Sequence, residues 1–456
     1  MSEINTLQKK DYYKFGLLSF IGFMIFLCPI PDIYSDSITL VIGIVTTAFH
    51  NLLGHLADYI IVATSAVAVI GTIIISLVLP HKFDKEGAIY KLFYAKGLNF
   101  AGRIAGGILL IMVFMNIGPE LLLNPAVGGT MLSLCVVVGI ELIPAIILMP
   151  LLVDFGLMEF AGTLVNKLIR PLFHLPGRSS VDLLASWVGM VEMGLIVTDE
   201  QYANGYYTKR EAISIATCFT ATGVAFWLVC GEMTGVTQYL VHFFAAIFLV
   251  GLICAMVCIR IPPLSRIPDE FMVENDNNKD PIKEKPEKQN IFSYACSLGA
   301  KRAKSSMTMS QLGRKIVYQN FNILLTLVPL VMVIGVIALA LVEYTPLLDW
   351  IGYPFSILLG FFGIPEASMA GSAIVSGFFD MFLPMVLIAE ATSIQVKFVV
   401  TVVGLTQIVF VSEVISYLLN SRIPVKFSHM VLIFLERTIV AILVLVPFTY
   451  LFGIVD

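Results

Sequence analysis

Two short frames recur in this chain. Residues 189–193 read GMVEM and residues 377–381 read GFFDM, each with one acid, Glu192 or Asp380, among apolar neighbours. A carboxylate inside an apolar span is costly in lipid, so its usual work there is to hold a proton or cation, or to pair with a buried base. Other polar groups stand in equally apolar surroundings. PGRSSVD carries Arg178, Ser179 and Ser180, and PEASMAGS carries Glu366 and Ser368. ATCFTATG holds Thr217, Thr220 and Thr222, while GLTQIVFVSEV holds Thr406, Gln407, Ser412 and Glu413. Glu141 lies in VVVGIELIPAI. Such groups suit the binding of small polar solutes and ions. Walker A, Rossmann, HExxH and GxSxG patterns are absent, which disfavours an ATP-driven pump or a common hydrolase, and no nucleophile–base pair is evident. No enzymatic activity, metal site or organic cofactor is expected; Na⁺ or H⁺ as a coupling ion is.

The rest of the chain must bring these groups together inside a bilayer. Of 456 residues, 58% are hydrophobic and 13% charged, with a mean hydropathy of +0.91. A soluble domain carries roughly twice that charge. Long uncharged runs such as 104–118 and 438–453 imply an all-α polytopic membrane protein, and the alternation of a β-barrel is missing. The first thirty residues are basic and then apolar, without a small-residue cleavage site, so a retained first helix is expected. Cys28, Cys135, Cys218, Cys230, Cys254, Cys258 and Cys296 lie mostly in apolar spans and read as small buried residues rather than ligands or disulfides.

Apolar runs divide the sequence into four parts. Residues 1–127 hold about three helices, with 38–79 interrupted by His50, His55 and Asp58. Residues 128–261 and 316–456 each hold five elements in the same order: a long span, two short segments broken by proline, and two long spans. The hydrophilic stretch 262–315 joins them. An internal repeat is the economical explanation. Basic residues cluster at 9–14, 82–103, 167–178, 260–315 and 422–426, which assigns those segments and the N-terminus to the cytoplasm of a bacterial inner membrane. If each short pair is a re-entrant hairpin, the two repeats are inverted. Inverted repeats with broken elements near the midplane are the architecture of secondary transporters, because irregular backbone survives in a membrane only where protein or an aqueous cavity covers it.

On this reading the tips PGRSS and PEAS face each other. Arg178, Ser179, Ser180, Glu366 and Ser368 would line a substrate site completed by Thr220, Thr222, Thr406 and Gln407. Glu413, with Glu141 and Ser412, would couple the ion. Glu192 lies 12 residues beyond Ser180, roughly 18 Å along a helix, whereas half the hydrocarbon core is about 15 Å. Glu192 and Asp380 would then sit near opposite membrane faces as gate groups. His50, His55 and Asp58 fit an interfacial helix as well as a proton relay.

PGRSSVDLLASW and TKREAISIATCFTATG resemble the nucleoside-recognition, or Gate, domain, which is similar in turn to concentrative nucleoside transporters. The whole layout resembles YjiH-type membrane proteins. The resemblance covers about 128–261 and 316–453, and implies inverted hairpins and cation coupling. Where the nucleoside transporters carry Gln and Glu at the hairpin tip, this chain has Arg178 and Ser180, which suit a carboxylate or other anion. The expected function is secondary active transport, by alternating access, of a small carboxylate-, amino-acid- or nucleoside-like solute coupled to H⁺ or Na⁺. The rival is a non-transporting Gate-fold assembly or regulatory protein acting through 262–315. The expected partners are the solute and the bilayer, not nucleic acid; a homo-oligomer is compatible with the sequence.

Overall fold

The computed structural model describes residues 7–31, 38–78, 87–173, 175–176, 179–184, 186–187, 191–219, 221–273 and 290–456. Of the described residues 79% are helical, and the described strands form one short antiparallel ribbon, Pro29–Pro31 with Ile38–Leu40. Among the described residues, six stretches are long and apolar enough to cross a bilayer: Leu56–Val78, Pro125–Leu152, Val236–Cys258, Met309–Leu341, Ile394–Leu419 and Phe427–Leu451. This is an all-α polytopic membrane protein.

The N-terminal layer comprises α1 (Lys9–Leu27), α2 (Val41–Leu53), α3 (Leu56–Ile73), α4 (Ala88–Phe93), α5 (Gly97–Phe114) and α6 (Glu120–Leu123). The interrupted stretch around His50 and His55 proves to be two helices, α2 and α3, parted at Gly54 with φ 47°. Next come α7 (Thr130–Leu148), α8 (Pro150–Val153), α9 (Leu157–Phe173), α10 (Ser179–Leu184), α11 (Val191–Ala203), α12 (Lys209–Ser214), α13 (Val224–Thr234) and α14 (Leu240–Cys258). The linker contributes α15 (Ile291–Lys304) and α16 (Met309–Asn322). Then follow α17 (Val328–Tyr344), α18 (Leu347–Phe361), α19 (Ala367–Ser376), α20 (Leu383–Ile388), α21 (Ile394–Gln407), α22 (Ser416–Asn420) and α23 (Phe427–Leu451).

The bundle has two chemically distinct ends. At the basic end Lys315 Nζ meets Asp154 at 2.6 Å, and Arg302 reaches Asp154 and Glu159 at 3.6 and 3.3 Å. At the far end Asn124 donates to the Tyr344 hydroxyl at 3.0 Å, and Ile394 N–H donates to Asp456 at 2.8 Å. The second half of the linker is docked rather than loose. Helix α15 buries Ala295, Ala300 and Ala303, and Gly299 lies close against Phe15 and Gly156.

Close packing in a bilayer relies on small residues, because lipid tails are as apolar as leucine and only intimate contact favours helix on helix. The AGRIAGG stretch supplies them. A Cβ on Gly106 would collide with the Pro329 carbonyl of α17, one on Gly102 would press on Leu330, and one on Gly107 on Val69 of α3. Helix α5 is thus clamped between α3 and α17. Gly106→Ala should lower the thermal-unfolding midpoint of the purified protein, because overpacking against backbone costs about 1–3 kcal/mol. Gly16→Ala, with no atom within 4 Å of the added Cβ, should leave the midpoint unchanged or slightly higher.

Candidate functional site

Each half of the chain contains one broken helix. In the first, TKRE forms a capping box: Glu211 N–H donates to Thr208 Oγ1 at 3.2 Å, and Thr208 N–H donates to Glu211 Oε2 at 2.8 Å. That fixes the start of α12, which continues through a π turn to Phe219 and stops. Helix α13 resumes after Gly223. In the second half Ser393 caps α21 through Val396 N–H at 3.0 Å. The helix stops at Gln407, Ile408 takes φ 66°, and a π turn over Val411–Ile415 leads into α22. A positive φ at a β-branched residue is strained and persists only where the surroundings over-determine it. The two breaks lie at the threonine-bearing stretches singled out in the sequence.

Hairpins support both breaks, in the opposite sense to the one expected. The turn between α18 and α19 lies at the far end: Tyr450 Oη donates to the Phe362 carbonyl at 2.8 Å. There Glu366 Oε1 accepts from Thr392 N–H and Oγ1 at 3.2 and 2.7 Å, bonds that hold its carboxyl below the usual range. The end of α9 lies at the basic end, where Arg260 Nη2 donates to the Leu172 carbonyl at 2.7 Å. The tips PGRSS and PEAS therefore belong to opposite ends of the bundle. Ser179 and Ser180 are buried at one, Ser368 is exposed at the other, and they cannot grip one ligand with Glu366.

In the second half the inner turn carries the GFFDM frame. Helix α19 is 10 residues long, about 15 Å, enough to carry the chain from the far end to the break. There Val411 and Ser412 N–H donate to the Phe378 and Phe379 carbonyls at 2.8 and 3.1 Å. In the first half Ser186 Oγ accepts from Ala221 N–H at 2.7 Å and donates to its carbonyl at 2.9 Å, and Trp187 Nε1 donates to the Phe219 carbonyl at 2.7 Å. Asp380, expected near a membrane face, is only 3% exposed at the second break. Arg178 and Thr220 lie outside the described residues, as do the side chains of Glu141 and Glu192.

The group that joins the breaks was not anticipated. Arg437, fully buried in α23, donates through Nε to the Thr406 and Gln407 carbonyls at 2.9 and 3.1 Å, through Nη2 to Thr406 at 2.6 Å, and through Nη1 to the Cys218 carbonyl at 3.1 Å. Among the described residues it has no carboxylate partner. None is required, because each half-helix C-terminus carries roughly half a negative charge and two together balance one guanidinium. These carbonyls are therefore committed to an arginine. An arginine ten residues into a long, mostly apolar span was the available signal.

Beside the breaks lies a cavity of about 60 Å³, lined by Thr222, Gly223, Asp380, Ser412 and Glu413, with apolar walls from α7 (Leu142, Ala145, Ile146) and α17 (Val331). Asp380 Oδ1 accepts from the N–H of Phe382, the residue before α20, at 2.8 Å. Thr222 accepts from Trp227 Nε1 at 2.8 Å. The remaining predicted ligands have structural work. Thr406 bonds back to Val402 and Val403, while Gln407 Nε2 donates to Ile374 and Thr438 at 3.0 and 2.9 Å. Gly377 leaves room for Gln407 Oε1, which a Cβ would strike. Among the described residues no three His, Cys, Asp or Glu side chains are grouped to hold a metal ion.

Replacing Arg437 by Met should destabilise the protein by about 3–5 kcal/mol, because buried carbonyls at two helix ends lose their donors at about 1–3 kcal/mol each. Lysine should recover only part of the loss, since an ammonium lacks the fork that reaches both ends. Denaturant titration of the three proteins in one detergent checks both statements.

Comparison with known proteins agrees with this architecture. The model of the Gate family, described as nucleoside recognition, matches residues 135–252, from α7 through most of α14. An uncharacterized protein of Alkalihalophilus pseudofirmus is 35% identical over 455 residues, which is 98% of this chain and 96% of that protein. No solved structure matches the chain significantly. A Gate domain set among membrane-spanning helices gives this chain a transporter-like build. By its end-to-end likeness to that relative and its Gate domain, the chain belongs to a family of YjiH-type Gate-domain membrane proteins.

Proposed function

We propose that the protein is a secondary active transporter in which Asp380 and Glu413 bind the coupling ion, H⁺ or Na⁺, where the two helix breaks meet. The observation that carries this reading is the shared cavity: two acids, from an inner turn and from a broken helix, open onto one small and mostly apolar space. Like charges in such a site disfavour double ionisation, so one cation relieves the conflict. At about 60 Å³ the space suits an ion or a few waters. Organic ligands need roughly 300 Å³ or more, so the solute site forms only when the hairpins separate. The solute class is a small polar or charged organic molecule, bound from both inner turns once they part. The basic end faces the cytoplasm by the positive-inside rule, and with it the N-terminus.

Uptake into proteoliposomes under an imposed H⁺ or Na⁺ gradient, with a panel of amino acids, organic acids and nucleosides, tests the proposal. Asp380→Asn and Glu413→Gln should each reduce gradient-driven flux by at least tenfold while the unfolding midpoint stays close to that of the parent protein. Deleting 274–289, which spares α15, should leave flux intact; a protein acting through its linker would lose its role instead. Absence of flux across the panel, or wild-type flux in both variants, removes the proposal.

A further inference from the structure

A second cavity, which shares no lining residue with the first, opens at the basic end. It measures about 470 Å³ and lies between the start of α12, the segment 262–268 and the first turns of α23. Its charged lining is Lys209, Arg266, Lys426 and His429, with one acid, Glu436. Arg210 and Arg422, beside it in sequence, are each neutralised, by Asp269 at 3.6 Å and by Asp199 at 2.7 Å. Among the described residues, Lys209, Arg266 and Lys426 have no such partner. Three fixed positive charges against one negative leave an excess of two, and Lys426 is also the N-cap of α23, whose first turn adds positive potential. The inner end differs. Glu436 lies ten residues further along α23, about 15 Å, and its Oε2 is buried without a hydrogen-bond partner. Leaving such an acceptor unpaired costs about 1–3 kcal/mol, so it calls for a donor. Between the two ends the walls are apolar, from Ile213, Ile267 and Leu432.

We infer that this cavity binds a phosphate-bearing ligand, its phosphate held by Lys209, Arg266 and Lys426 and a hydroxyl or amine of the same molecule directed to Glu436. A phosphate carrying two negative charges matches the excess; a single carboxylate leaves half of it unanswered. The size is that of a ligand site, and its place at the basic end admits either of two sources, a phospholipid headgroup or a soluble phosphate ester. The site is built on α12 and α23, the helices that carry the first break and Arg437. Occupancy there therefore bears on the elements that surround the carboxylate pair without touching them.

The test uses the full-length purified protein. One arm adds glycerophosphate in detergent, against sodium chloride at matched ionic strength. The other compares nanodiscs of phosphatidylcholine with and without phosphatidylinositol 4-phosphate, which carries both a phosphomonoester and free hydroxyls. At least one arm should raise the unfolding midpoint by several degrees. The triple variant Lys209→Gln, Arg266→Gln, Lys426→Gln should lose the rise, and each single variant should need several-fold more ligand. The double variant Lys209→Arg, Lys426→Arg should keep the rise, which separates lost charge from lost fold. A response confined to the phosphoinositide assigns the site to a headgroup, and one confined to glycerophosphate to a soluble ester. No rise in either arm, or an equal rise in the triple variant, overturns the inference.

Discussion

One buried guanidinium holds this protein's two halves in register. Two helices enter from opposite ends and stop inside the bundle, each presenting carbonyls that its own turns leave unsatisfied. In lipid that arrangement is untenable unless protein supplies the donors. Arg437 supplies them to both helices at once, reaching Cys218 on one and Thr406 and Gln407 on the other. Charge and hydrogen bonding are satisfied by the same contact, so no counter-carboxylate is needed.

The far side of each break follows from this. Once the helix ends are held, the chain must restart, and the inner hairpin turns provide acceptors and hydroxyls for the restarting backbone. Phe378 and Phe379 do so by their carbonyls and Ser186 by its side chain. The same turn brings Asp380 beside Ser412 and Glu413. The carboxylate site is thus a by-product of repairing a broken helix, which explains why its residues come from segments so distant in sequence. Size then separates roles: the central cavity fits an ion, whereas the one at the basic end is several times larger and cationic.

Much of the fold was legible in the residues. Hydropathy marked the spans, proline and glycine marked the hairpins, and the basic clusters marked one end. The site was legible only in part. Glu413, Ser412 and Thr222 were singled out and line the cavity. Ser179, Ser180, Glu366 and Ser368 were expected with them and lie elsewhere, because polarity marks both ends of a re-entrant hairpin and one-dimensional spacing does not say which end is inside. Arg437 was passed over for a related reason. It was treated as part of an apolar run, although its neighbours' hydropathy says nothing about what a lone guanidinium must bond.

The glycine clamp between α5 and α17 gives the molecule uneven compliance. Helix α17 forms one wall of the carboxylate cavity through Val331, while its other side is locked backbone to backbone against Gly106. That wall behaves as an anvil. The opposite wall, the inner turn and the break, rests on a handful of hydrogen bonds and a strained Ile408. Any widening of the cavity is therefore one-sided, with the hairpin yielding and the frame standing still. The N-terminal layer, whose described residues contribute no polar group to the cavity, acts as the brace against which the other half can move.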